Sequence, residues 1–280
     1  MNGRTGQPFD ISHKTHNPNA GLRGDYSHMA ADFTVPQEMG RYDEAMHERW
    51  RRLVARQLAL LPNRACRDFI AAVRSLELGR GIPCLAEINA KLAQCTGWEL
   101  VGVPGLLPDE VFFTHLSRRR FPVTVWLREE HEFDYIVEPD LFHDFFGHVP
   151  MLFTPVYADF LQRYGEGGLK AARLNGLTWL ARLYWYTIEF GLLREADGVR
   201  AYGAGILSSP KELVYAVESP TPARLPFEVM HIMRTPYRID DVQTQYFVLD
   251  HFEQLLADTE PDFAPYYAAL NAEARANSPR

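Results

Sequence analysis

The stretch EPDLFHDFFGHVP, Glu138 to Pro150, places two histidines and three acids among phenylalanine, leucine and valine. Ionisable groups in an apolar segment cost free energy unless something pairs with them, so this stretch demands a partner. It reads as a helix with Pro139 early in its first turn. His143 and His148 stand at i and i+5, which an ideal helix at ~100° per residue holds about 140° apart, a poor geometry for sharing one ion. The zinc-protease spacing HExxH is absent. Gly147 lies between the histidines, and Pro150 biases Val149 away from helix. The helix is therefore expected to end near Gly147, letting His148 swing back toward His143. On spacing alone, two satisfied core histidines are as good a reading as a metal pair.

Farther along, YWYTIEFGLL (184–193) carries Glu189 as its only charge. A lone carboxylate there is exposed, protonated or neutralised by a cation. Two imidazoles and one carboxylate form the facial triad of non-haem iron(II), with positions left open for oxygen chemistry. The same ligand types suit a catalytic zinc, and a residue on the solvated side of a half-buried helix is the bland alternative. Arg128 closes FPVTVWLR (121–128), the best strand candidate by its β-branched and aromatic residues. It either holds a substrate carboxylate bidentately or belongs to the surface run REEHE.

The rest of the chain bounds the alternatives. Its 280 residues are 46% hydrophobic, enough for one large core or at most two domains. The net charge of −7 argues against a nucleic-acid partner. RYDEAMHERWRRLVARQ (41–57) alternates in sign, the pattern of a solvated helix face. Three cysteines without CxxC spacing point away from a disulfide framework and toward a reducing compartment. No stretch approaches the ~20 apolar residues of a membrane span, so a cytoplasmic protein is expected.

Residues 1–40 lack periodicity and are read as an extended or disordered tail. Helical spacing then begins at Trp50, Leu53, Val54 and Leu58, stopped by Pro62, and recurs at Phe69–Leu76 and Leu85–Leu92, with Gly97 as a stop. WELVGVPG is β-like and LLPDEVFFTHL helical. TPVYADFLQRY, NGLTWLARLYWYTIEFGLLREADG (to a stop at Gly198) and PKELVYAVE complete the helices, while PYRID and QYFVLD are candidates for paired short strands. The expected fold is mainly α with a few short β-strands (α+β): one catalytic domain over 41–265, followed by a short tail over 266–280. That tail has no apolar heptad seam, so a monomer is expected.

EPDLFHDFFGHVP, YWYTIEFGL and AYGAGILSS, in this order, resemble the iron- and tetrahydropterin-dependent aromatic amino acid hydroxylases. The likeness extends through CTGWELVGVPGLLPDEVFF and FPVTVWLR, from about residue 40 to 255. It implies a monooxygenase that uses Fe(II), a tetrahydropterin and dioxygen to hydroxylate an aromatic amino acid. At matching positions His143, His148 and Glu189 become iron ligands, and Arg128 takes the substrate carboxylate. Ser209 and the backbone around Gly205 hold the head group, Ser208 bonds the His143 ring, and Pro139, Trp185 and His143 wall the aromatic pocket. The pterin lies against Phe112 beside Gly105, Leu106 and Leu107, with Asp144 near its edge and Tyr246 at the mouth. Asp144 resembles the bacterial branch, where animal members carry Glu. Trp185 disfavours an indole substrate, so the resemblance favours phenylalanine, giving tyrosine, over hydroxylation of tyrosine or tryptophan. A zinc hydrolase using the same ligands, with Asp144 or Glu138 as base, and a non-catalytic binding module are the rival readings.

Overall fold

The protein, seen in a computed structural model, is described over residues 22–276 except 135, 137 and 240. Residues 1–21 of the tail expected over 1–40, and the last residues, 277–280, lie outside the described residues. Helix α1 (Glu44–Leu60) starts at Asp43, whose carboxylate accepts from the Met46 N–H, and buries Trp50, Leu53 and Val54. Helices α2 (Arg67–Leu76) and α3 (Leu85–Cys95) follow, and Gly97, at φ 72°, makes the turn beyond α3. Strand β1 (Glu99–Val103), helix α4 (Asp109–Ser117) and strand β2 (Arg120–Thr124) form a crossover that pairs β1 and β2 in parallel.

Helices α5 (Pro155–Arg173) and α6 (Leu177–Tyr184) carry the chain across the core. Strands β3 (Leu192–Glu195) and β4 (Gly198–Ala201) then make an antiparallel hairpin. Helices α7 (Ala204–Leu207) and α8 (Pro210–Glu218), strand β5 (Ala223–Pro226), helix α9 (Val229–Arg234) and strand β6 (Gln245–Leu249) come next. Helices α10 (Glu253–Thr259) and α11 (Ala264–Ala276) end the described chain. The second sheet has the order β4-β3-β6-β5. A mainly helical α+β fold with small sheets is what the periodicity predicts.

The differences have physical causes. The apolar helix expected to reach Gly198 stops after Glu189, and LLRE becomes β3, because β4 on one side and β6 on the other supply backbone partners. Such partners leave no trace in local spacing. Residues 236–239 of PYRID form no strand, and the Asp that ends it lies outside the described residues; β6 pairs in parallel with β3 and β5 instead. The strand in FPVTVWLR ends at Thr124, so Arg128 lies in a loop.

Residues 22–40 are an ordered strap. The Val35 N–H donates to the Gly102 carbonyl at 2.8 Å. The Asp32 carbonyl meets His115 Nε2 at 2.8 Å, and its carboxylate meets Arg120 at 3.0 Å. The Tyr26 hydroxyl donates to the Leu106 carbonyl at 2.9 Å. The tail expected from 266 is also structured: α11 buries Tyr267 and Leu270, and Asn271 accepts from Trp179 Nε1 at 2.9 Å.

Candidate metal centre

The two histidines meet without a helix break. Residues His143–His148 form a π-helix that runs on into a 3-10 turn, Val149–Phe153. A π-turn closes i→i+5 bonds at roughly 4.4 residues per turn, which brings positions i and i+5 to within about 50° of each other. The expectation that the helix ends near Gly147 is thus corrected: wider winding, not termination, aligns the imidazoles. Gly147 serves close packing instead, since a Cβ there would stand 3.0 Å from the Ala204 carbonyl oxygen. Helix α6 widens in the same way. Trp185–Glu189 is a second π-segment, in which the Phe190 N–H donates to the Trp185 carbonyl at 2.7 Å. Behind it, Gly203 packs so tightly that a Cβ would lie 2.4 Å from the Glu189 carbonyl oxygen.

These two segments bring His143, His148 and Glu189 together, with one donor atom from each within 4.8 Å of the others. Glu189 Oε1 lies 3.1 Å from His148 Nε2, and Oε2 lies 3.6 Å from His143 Nε2. Ligands at right angles on an ion with ~2.1 Å bonds stand about 3 Å apart, so the two carboxylate–imidazole distances are close to those of a shared small cation, and a modest inward turn of the side chains would complete the grip. Burial pushes the Glu189 carboxyl up, but the two neighbouring imidazoles outweigh that and hold it at about 2. Burial pushes His143 below the ordinary histidine value, which favours the neutral imidazole that a metal binds. Ser208 Oγ lies 2.9 Å from His143 Nδ1 and fixes the ring with Nε2 turned toward Glu189.

Around the triad, the other expected residues fall into place unevenly. Arg128 is buried, which removes the surface reading. Its Nε and Nη2 donate to the two oxygens of Asp140 at 2.9 and 2.7 Å. Asp140 Oδ1 also accepts the His143 N–H at 3.0 Å, so Asp140 caps the helix and Pro139 sits one residue before the cap rather than in the first turn. Ser209 caps α8 through the Glu212 N–H. A Cβ on Gly205 would press on the Phe190 ring at 2.9 Å.

On the expected pterin side, Phe112 meets Tyr184 edge to face at 5.8 Å, and Tyr184 lies near Glu189, whose charge adds to burial in raising the tyrosine's pKa. Gly105 backs onto the Tyr26 hydroxyl, 2.9 Å from where a Cβ would stand, and the Leu106 carbonyl receives that hydroxyl. Leu107 follows, half-buried, before α4. Asp144 is held by the Thr124 N–H at 2.8 Å, and burial raises its pKa. Tyr246 needs correction. It is fully buried in β6 and donates to Glu212, so it cannot line an open mouth. Sequence reasoning missed Asp140 and Tyr184. An Asp three residues ahead of a helical histidine is an N-cap signal that could have found the first; nothing local marks the second.

A helical domain that winds two π-turns around a His, His, carboxylate cluster defines the class of a mononuclear non-haem metal protein. The chain belongs to the biopterin-dependent aromatic amino acid hydroxylases, whose family profile matches residues 10–267. It is 52% identical over 271 residues to the phenylalanine-4-hydroxylase of Chromobacterium violaceum, covering 96% of this chain and 89% of that one. It is 56% identical over 240 residues to that of Ralstonia nicotianae, covering 85% and 77%. The iron- and phenylalanine-bound crystal structure of the Chromobacterium violaceum enzyme superposes with a TM-score of 0.83 at 52% identity over 92% of each chain. Among the described residues no helix is long and apolar enough to cross a membrane.

Proposed function

We propose that this chain is a phenylalanine 4-monooxygenase, converting phenylalanine to tyrosine with dioxygen and a tetrahydropterin at an iron(II) held by His143, His148 and Glu189. The observation that carries the reading is the convergence of two imidazole nitrogens and an ionised carboxylate at 3.1 and 3.6 Å inside an apolar core. Three protein ligands leave one side of an octahedral ion open. Bound there, iron and the reduced pterin supply the oxygen-activating chemistry.

The protein's own residues bind, orient and exclude water. With Nε and Nη2 committed to Asp140, the Arg128 guanidinium offers its Nη1 side to the substrate carboxylate, and its angle is set before substrate arrives. Ser208 holds the His143 ring, and Pro139, His143 and the edge of Trp185 bound the ring pocket. Ser209 and the backbone at Gly205 stand at the head-group end. A flat pterin on Phe112, beside Gly105–Leu107 and Asp144, lies next to Tyr184, which feels the charge of Glu189. A hydrolase needs a free general base, whereas Asp144 already accepts the Thr124 N–H. The described cysteines are all free thiols and α11 docks on its own chain, which supports a cytoplasmic monomer.

The deciding experiment is anaerobic loading with ferrous iron, followed by phenylalanine, reduced pterin and air. Tyrosine formation that requires iron and pterin together is expected; zinc at full occupancy with no tyrosine would overturn the reading.

A further inference from the structure

Trp185 is held in an unusual way. Tyr237 stacks on its indole at 4.2 Å and 15°, and Phe190 stacks at 4.6 Å and 25°. Two rings that close to one indole would collide on a single face, so they occupy opposite faces. The indole therefore offers the pocket its edge and no face. Its Nε1 is buried without a hydrogen-bond partner among the described residues, so stacking rather than hydrogen bonding orients it.

One of the two stacking rings, Phe190, is the immediate neighbour of Glu189, and Gly205 backs onto it with no room for a Cβ, which would stand 2.9 Å from the ring. Tyr237 belongs to a different unit, the segment between α9 and β6. That segment is pinned at both ends. The Tyr186 hydroxyl donates to the Pro236 carbonyl at 2.8 Å, and Arg182 donates to the Met233 carbonyl at 2.9 Å. The Gln243 side chain grips the Arg238 backbone, accepting from its N–H at 3.3 Å and donating to its carbonyl at 2.7 Å. The Gln243 N–H donates in turn to the buried carboxyl of Glu212 at 3.2 Å, one turn into α8 from Ser209.

We propose that Tyr237 is a specificity-determining positioning residue: clamped through Gln243 and Glu212, it sets where the edge of Trp185 stands and so how large an aromatic ring the pocket admits. The inference rests on the proposed function. It ties the head-group end of the pocket, at Ser209, to its ring end through one chain of contacts, so pocket length and ring size are set together.

The test is calorimetric titration of phenylalanine and of tryptophan into the protein loaded with zinc(II), which reads pocket shape without turnover. Tyr237→Leu is expected to shift the affinity ratio toward tryptophan by about tenfold or more, the scale set by removing apolar wall contacts. Tyr237→Phe, which keeps the stack and loses only the hydroxyl, should keep the wild-type ratio. Glu212→Ala should shift the ratio in the same direction as Tyr237→Leu, and Glu212→Gln, which keeps an acceptor for the Gln243 N–H, should restore it. An unchanged ratio in a folded Tyr237→Leu protein, with its thermal transition intact, overturns the proposal. So does a shift as large in Tyr237→Phe, because a hydroxyl contact would then be responsible. Wild-type protein that binds neither amino acid overturns the proposed function, and the positioning role with it.

Discussion

Arg128 and Asp140 face each other through hydrogen bonds of 2.9 and 2.7 Å, with side chains 4% and 0% exposed. The same carboxylate receives the backbone N–H of Arg128 and that of His143. One buried acid thus orients the guanidinium proposed for substrate and caps the helix that carries a proposed iron ligand. Asp140→Ala is expected to cost about 3–5 kcal/mol, because a buried cation loses its partner, as read by denaturant unfolding. Arg128→Lys should raise KM for phenylalanine by on the order of tenfold or more through loss of the fork geometry, with a smaller effect on pterin. Equal effects on both ligands would remove Arg128 from the substrate site.

Glu189→Gln keeps the shape of the side chain and removes its charge. Iron affinity, measured by competition with a chelator, is expected to fall by at least about a hundredfold, while thermal unfolding of the metal-free protein stays close to wild type. Retention of full iron content after dialysis would take Glu189 out of the ligand set.

Gly203 backs directly onto the Glu189 main chain, and a Cβ there would also lie 2.4 Å from the Gly191 nitrogen. Backbone cannot swing aside as a flexible side chain can. Gly203→Ala should therefore destabilise the fold by about 1–3 kcal/mol and weaken metal binding with it. At Gly147 the tightest contact is 3.0 Å and a smaller shift relieves it, so Gly147→Ala should do less of both.

Asp32 anchors the strap. The Thr34 hydroxyl, ahead of Arg120, holds its carboxyl down at about 2, against a weaker push from burial. A carboxyl lowered in the folded state adds stability above its ordinary value near 3.8, and that stability is lost as pH falls toward 2. The side chain is 44% exposed, so solvent screening keeps the contribution under about 1 kcal/mol. The difference in Tm between wild type and Asp32→Asn should be present at pH 5 to 6 and close between about pH 4 and 2. A difference that survives at pH 2 would show that the contact is not ionic.

The amino-acid sequence by itself determined the helical fold class and the family, and through the family resemblance it nominated a donor set. Two histidines and a lone glutamate in apolar surroundings are legible because burying them uncompensated is costly. Helices such as Glu44–Leu60 are legible because apolar residues recur once per turn. Tertiary structure decided how those donors meet: π-winding brings His143 and His148 into line, where ideal α-geometry keeps them apart. It also decided that Leu192–Glu195 is a strand, that Asp140 rather than solvent meets Arg128, and that Tyr237 covers a face of Trp185. Each of these depends on a partner beyond the reach of local periodicity, from 12 residues away for Arg128 to more than 50 for β3. Spacing within a turn records which side of an element is apolar, and only packing of the whole chain records what that side touches.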